Sequence, residues 1–406
     1  MPRKNIYFIS LGCPKNLVDS ECMLGLLSGE GFTIVSEVKE ARVAVINTCA
    51  FIRPAVEESI DVILELAELK KRGQLARLYV TGCFVQRYGV KLRRELPEVD
   101  GWLGTGEFQH IADVLKQEGR EAVPFRIGRP LYLAGHDTPR VRTTPFYTAY
   151  LKIAEGCSHR CSYCTIPALR GPYRSRSMDS LLIEAEEMAE KGVKELNLIA
   201  QDTTFYGYDL EESVTIEDLL EKLLEIEGLQ WIRILYSYPT RIADRLLKLI
   251  EQEERICPYL DIPLQHVNEN ILAAMGRSAG RETLRQLIRR VRALSRAISI
   301  RTTFMVGFPG ETDAAFEELY EFIRTAAFDY LGTFIFCPEK GTPAARLGSV
   351  IDDDTAARRR DDIMALQSQI SMKRNRMIVG KVLPVLIEGP SPETDLLLKG
   401  RTADMA

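Results

Sequence analysis

Ala149-Tyr150-Leu151-Lys152-Ile153-Ala154 is followed, after Glu155-Gly156, by Cys157-Ser158-His159-Arg160-Cys161-Ser162-Tyr163-Cys164. The first stretch reads as a buried strand. The second carries three cysteines spaced CxxxCxxC on one short loop. Three thiolates placed so closely can hold three irons of a 4Fe-4S cubane and leave the fourth iron without a protein ligand. A small molecule can chelate that open iron, and S-adenosylmethionine (SAM) offers an amino nitrogen and a carboxylate oxygen for it. Tyr163, just before the last cysteine, is an aromatic that can pack against adenine. A structural zinc site is the competing reading. Zinc usually takes four ligands in paired spacings; no second pair lies nearby, and His159 between the first two cysteines would crowd them.

Working outward, the strand before this loop opens a βα series. Strands are expected at Ala149–Ala154, Glu195–Ile199, Trp231–Tyr236, Tyr259–Leu264, Ser299–Val306 and Tyr330–Phe336. Helices are expected at Met178–Lys191, Ile216–Glu227, Ile242–Glu253, Arg281–Ala297 and Asp313–Ala327. Six strands with helical crossovers make a partial (β/α)6 barrel. Such barrels keep their sites at the carboxyl ends of the strands. Gln201 and Asp202 end the second strand, Ser237 lies past the third and Gln265-His266 ends the fourth; with Tyr163 these are candidate SAM contacts. Arg301, inside the fifth strand, is a candidate set apart from that mouth. The bland alternatives are that Asp202 caps a turn and that His266 makes an ordinary polar contact at the rim.

Upstream, residues 1 to about 145 also alternate strand and helix, which implies a parallel sheet covered on both faces. Strands are expected at Ile6–Ser10, Val43–Asn47 and Leu78–Thr81, and helices at Leu17–Ser28, Ile52–Lys71 and Val85–Leu96. Cys13, Cys49 and Cys83 each follow one of these strands. Parallel strands end on one edge, where ligands bind, so the three thiols can converge. Gly12 and Gly82 allow tight turns beside them. Cysteines are often simply buried small side chains, and Cys22, Cys257 and Cys337 are read that way. Three at one topological address favour a second cluster with an open iron.

The 406 residues exceed one compact core and carry a net charge of −4. A general nucleic-acid binder is usually basic, whereas an acidic enzyme suits a basic partner. No apolar run reaches the roughly 20 residues of a membrane span, and no signal peptide is visible, so a cytoplasmic location and no membrane partner are expected. Nine cysteines in a reducing compartment point to metal or catalysis rather than disulfides. Arg358-Arg359-Arg360, flanked by aspartates, reads as a solvated helix face within the charged run Asp352–Arg376, and Tyr206 with Tyr208 as packing rather than base stacking. Short strands follow at Val382–Glu388 and Leu396–Lys399. Two such strands cannot bury a core alone, so this tail leans on the second domain or continues in a longer chain.

The combined motifs resemble the radical-SAM methylthiotransferase family across nearly the whole chain. They are Ser10-Leu11-Gly12-Cys13-Pro14-Lys15-Asn16-Leu17-Val18-Asp19-Ser20-Glu21, Asn47-Thr48-Cys49-Ala50-Phe51-Ile52, the CxxxCxxC loop, Asp261-Ile262-Pro263-Leu264-Gln265-His266 and Val306-Gly307-Phe308-Pro309-Gly310-Glu311-Thr312. The resemblance implies an N-terminal cluster-binding domain (1–145), a radical-SAM barrel with its C-terminal helix (146–376) and a small β-barrel of the TRAM type, here only the thirty residues 377–406. It implies two 4Fe-4S clusters, on Cys13, Cys49 and Cys83 and on Cys157, Cys161 and Cys164, with SAM serving both as methyl donor to a cluster-held sulfur and as radical source. A flavodoxin or ferredoxin-type donor is implied as reductant. The opening Leu-Gly-Cys-Pro-Lys-Asn is similar to the ribosomal-protein aspartate methylthiotransferase branch, whose substrate is the β-carbon of an aspartate in small-subunit ribosomal protein number twelve. The transfer-RNA branch, acting on adenosine, is the alternative, and a non-catalytic iron–sulfur scaffold is a third reading.

Overall fold

Short apolar runs rich in Val, Ile and Leu, most of them followed by a turn and a helix, build three parallel sheets, one of six strands and two of three. A computed structural model describes residues 5–117, 123–348 and 351–405. The chain forms two compact units. The first holds residues 1–144, 154–159 and 164–183, and the second holds 145–153, 160–163 and 184–406.

In the first unit, β1 (Asn5–Ser10), β2 (Thr33–Val35), β3 (Val43–Thr48), β4 (Arg77–Gly82), β5 (Gly101–Leu103) and β6 (Phe125–Arg126) form one sheet in the order β2-β1-β3-β4-β5-β6. Every pairing in it is parallel. Strand alternation sends Ala44 and Ile46 into a core with Ile63 and Leu66 of the helix Arg53–Lys71, while Val45 is buried on the opposite face. β2, β5 and β6 escape a pattern reading because two or three residues are too few to show a period. The expected helix Val85–Leu96 is broken: Gly89, at φ +61°, separates Cys83–Tyr88 from the turn Leu92–Glu95. A two-residue ladder, β8 (Ala154–Glu155) with β9 (Arg174–Ser175), also belongs to this unit.

In the second unit, β7 (Thr148–Lys152), β10 (Glu195–Ile199) and β11 (Trp231–Ile234) pair in parallel, as do β12 (Tyr259–Asp261), β13 (Ser299–Val306) and β14 (Tyr330–Ile335). β11 and β12 adjoin where Ile232 bridges Ile256, three residues before β12, and where the Ser237 N–H donates to the Asp261 carbonyl at 2.8 Å. The succession β7-β10-β11-β12-β13-β14 is a partial (β/α)6 barrel. The five expected helices form, and a short unexpected one, Glu269–Ala274, joins them; Arg281–Arg292 buries Leu284, Leu287, Ile288 and Val291, at helical spacing. Thr215, Asn268, Thr312 and Asp352 cap four of the helices through side-chain oxygens.

The last described segment is an antiparallel pair, β15 (Val385–Pro390) and β16 (Leu398–Thr402), bulged between Ile387 and Gly389. It docks on the barrel by polar anchors. Arg401 and Arg233 both bind the fully buried Glu195, the Arg233 Nη1 donates to the Ala403 carbonyl at 2.9 Å, and the Tyr147 hydroxyl donates to the Glu388 carbonyl. Val382, Leu396 and Leu398 point outward and are exposed. Among the described residues no helix is long and apolar enough to cross a membrane.

Candidate active site

β1, β3 and β4 are neighbours, and their register aligns Ser10 with Asn47 and Asn47 with Thr81. Cys13, Cys49 and Cys83 therefore leave the same edge of the sheet two or three residues further on. Cys13 precedes the helix Pro14–Gly29 and Cys83 opens the helix Cys83–Tyr88. Gly12, at φ +95°, lies so close that a Cβ there would stand 2.8 Å from the Cβ of Cys49. Gly82, at φ +98°, would place one 2.3 Å from Asn47 Oδ1. Only glycine admits this approach of the two turns to the segment 47–49.

A buried polar lattice fixes the turns. The Asn16 side-chain amide donates to the Leu11 carbonyl at 2.6 Å, Asn47 donates to the Asn16 carbonyl at 2.9 Å, and the Thr48 hydroxyl donates to the Thr81 carbonyl at 2.5 Å. Ser59, fully buried, donates to the Cys49 carbonyl at 2.8 Å. Arg170, 2% exposed, lies in the helix Ile166–Arg170. It donates to Asp19 at 2.6 Å, Glu155 at 3.2 Å, Asn16 Oδ1 at 3.1 Å and Cys83 Sγ at 3.7 Å. Burial opposes its charge, but Asp19 and Glu155 hold its proton well above the ordinary range. Burial pushes the Cys83 thiol up to about 12 and also raises Cys49, while Arg170 pulls both down.

Three thiols at one sheet edge, near enough that Cys13 and Cys49 both act on the Cys83 thiol, are the donor set that a 4Fe-4S cubane takes. The protons that burial keeps on Cys49 and Cys83 would be displaced by iron.

Of the CxxxCxxC loop, Cys157 and Cys164 belong to the first unit and Cys161 to the second; all three are partly exposed. In the first unit, Gly156 (φ +79°) lets the backbone pass Pro172, and the Cys157 N–H donates to the Gly171 carbonyl at 3.0 Å. In the second, the Ser162 N–H donates to the Met275 carbonyl at 2.8 Å and the Ser162 hydroxyl to that of Ala274 at 2.7 Å. Tyr163 packs on the apolar group of Ile271, Met275, Phe308 and Phe336. Arg277 lies over the Tyr238 ring at 4.7 Å and donates to Cys161 Sγ at 3.9 Å and to the Pro263 carbonyl at 2.7 Å.

The barrel mouth collects the expected strand-end residues. Gln201 is partly exposed. Asp202 caps the turn Thr203–Phe205, accepting from the Thr204 N–H at 3.0 Å and hydroxyl at 2.6 Å. Ser237 Oγ and His266 Nε2 are buried with no hydrogen-bond partner among the described residues. Orphaned polar atoms at a mouth suit a polar ligand such as SAM. Gln265 (φ 72°) and Tyr236 (φ 63°) both adopt the left-handed conformation at strand ends, a strain that clusters at binding sites. Tyr236 carried no sequence signal. Arg301 sits near the start of β13, half-exposed, paired with Asp261 at 3.2 Å. The expected solvation of Arg358-Arg359-Arg360 fails for its middle member. Arg359 is buried and binds Glu311 at 2.7 Å, because its helix packs that face on the loop after β13. Tyr206 is buried, and the exposed Tyr208 stacks on Phe205.

Residues 5–104 match the model described as uncharacterized protein family UPF0004, and residues 151–323 match the Radical SAM superfamily. The chain is 46% identical over 405 residues to the ribosomal protein uS12 methylthiotransferase RimO of Pelobacter propionicus, covering 100% of this chain and 90% of that protein. The chain belongs to the RimO methylthiotransferase family. A second RimO, from Syntrophus aciditrophicus, is 49% identical over 405 residues, covering 99% of this chain and 89% of that one. Among solved structures, the radical S-adenosylmethionine methyltransferase TsrM of Kitasatospora setae aligns with a TM-score of 0.61 at 16% identity, over 85% of this RimO-family chain and 77% of TsrM. That likeness establishes the fold. For this RimO-family enzyme, sequence reasoning missed Arg170 and Arg277. Arg170 ends a five-residue helix before Gly171, where a cation is usually read as a helix cap; its distance from any carboxylate in sequence hid its partners.

Proposed function

We propose that this radical-SAM enzyme places a methylthio group on the β-carbon of an aspartate of ribosomal protein uS12. The observation that carries the reading is the pairing of two cysteine trios in one chain: one at a parallel-sheet edge, one after the first strand of a partial barrel. Cys157, Cys161 and Cys164 would hold a 4Fe-4S cluster with one iron left for SAM. Cys13, Cys49 and Cys83 would hold the second cluster, the one that supplies the sulfur. Bound there, the reduced cluster and SAM supply a radical able to take hydrogen from an unactivated C–H bond, chemistry no side chain offers.

The chain's own residues position and shield. Tyr163 would pack against the adenine, and Gln201, Ser237, Gln265 and His266 would supply polar contacts to SAM. Asp202 shapes the adjoining turn, and Arg301, paired with Asp261, is the candidate SAM contact that lies inside a strand. A flavodoxin or ferredoxin-type protein delivers the electron, and the acidic balance suits a basic ribosomal substrate in the cytoplasm.

The test is to reconstitute the enzyme anaerobically, reduce it and offer uS12 and bulk transfer RNA in parallel, with SAM and sulfide. Mass spectrometry should find one methylthio group replacing hydrogen on the uS12 aspartate. A gain on adenosine instead would move the chain to the transfer-RNA branch. Alanine at Cys13, Cys49 and Cys83 should leave SAM cleavage to 5′-deoxyadenosine and abolish thiolation; surviving thiolation would refute the second trio.

A further inference from the structure

Arg170 does more than fill a buried space. Four donors on its two terminal nitrogens find four acceptors: Asp19, Glu155, Asn16 and the Cys83 sulfur. Two of these lie in the helix that begins after Cys13, one opens the helix after β4, and the fourth precedes Cys157 by two residues. Arg170 itself follows Cys164 by six residues. A guanidinium is the one side chain whose rigid fork can satisfy such a set at once. Its burial is tolerated because Asp19 and Glu155 compensate the charge.

We infer that Arg170 is a positioning residue for the cluster held by Cys13, Cys49 and Cys83, donating an N–H to the Cys83 sulfur and setting the potential of that cluster. The inference rests on reading those three cysteines as cluster ligands. Hydrogen bonds to cluster sulfurs and nearby charge are principal determinants of cluster potential. Donation by Arg170 stabilises the more negative, reduced state. Asp19 shares the guanidinium and offsets part of its charge. The two residues therefore pull the potential in opposite directions.

The experiment uses the full chain carrying Cys157→Ala, Cys161→Ala and Cys164→Ala, reconstituted with iron and sulfide so that only one trio can hold a cluster. Iron content, the EPR spectrum of the reduced protein and the midpoint from redox titration are read. Arg170→Lys keeps a positive charge but loses the fork, and should shift the midpoint to more negative potential with changed g-values. Asp19→Asn keeps an oxygen acceptor and removes the opposing charge, and should shift it to more positive potential. A purely structural role moves iron content or melting temperature without these opposed shifts. Unchanged midpoints in both variants at full iron content overturn the inference. Should Arg170→Lys fail to fold, Asp19→Asn alone decides, an unmoved midpoint again overturning it. A parent protein that binds no iron refutes the ligand assignment itself.

Discussion

His266 is an imidazole with no exposed atom. Its Nδ1 accepts from the Asn268 N–H at 3.0 Å, and its Nε2 stands 3.8 Å from Glu311 Oε2. Burial lowers its pKa to about 4, with Glu318 pulling the other way and Arg359 reinforcing the fall. The ring is thus neutral in the fold, and the unfolded chain binds the extra proton between about 4 and the ordinary 6.5. The stability that neutral His266 contributes is complete above pH 6.5 and is lost as pH falls toward 4, about 3 kcal/mol across the window. Urea unfolding at stepped pH should show this slope in the parent chain and not in His266→Asn, whose side-chain oxygen can replace Nδ1 as acceptor. An identical slope in both would refute the assignment. At this scale the sequence was informative where position alone decides, as with cysteines and polar residues at strand ends. It was misleading where a long-range partner decides: nothing beside Arg359 in the chain points to Glu311, 48 residues away.

At the scale of elements, β15 and β16 hold to the barrel by charge rather than by a core. Glu195 at the head of β10 is fully buried between Arg233 and Arg401, and burial, which would raise its pKa, is outweighed by the two arginines. Arg374 adds ion pairs to Asp404 and to Asp329. Replacing Arg401 with Met leaves Glu195 with one cation, and the loss of a charged hydrogen-bonded pair costs about 1–3 kcal/mol. Denaturant titration should register that loss, and limited proteolysis should cut first within 385–405. Equal midpoints and an unchanged cleavage pattern would show that the tail is held otherwise. The long elements were legible because 3.6- and 2-residue periods run through them; Glu195–Ile199 and Ser299–Val306 coincide with their sequence expectations. The tail's second strand starts two residues late, since exposed Leu396 and Leu397 are apolar without being buried.

At the scale of the whole molecule, the chain passes between its two units five times, after Thr144, Ile153, His159, Tyr163 and Ile183. No sequence pattern announces such passages, because each segment is locally ordinary; the partners of Leu169, Arg170 and Gly171 tie 164–183 to the first unit. Thr105 donates to the Leu169 carbonyl at 2.5 Å, and Leu169 lies in the core of the six-stranded sheet. In hydrogen exchange at rising denaturant, amides of 164–173 should therefore open together with β3 and β4, not with β10 and β13. Opening with the barrel strands would sink the division. The same passages bear on how the protein is made. All six strands of the first sheet have been translated by Arg126, but Arg170 is 87 residues behind Cys83, roughly 4–17 s at ribosomal speed. During that interval the nascent sheet carries three thiols and lacks the guanidinium that donates to Cys83, so the first cluster site is finished only after the ribosome has passed into the barrel.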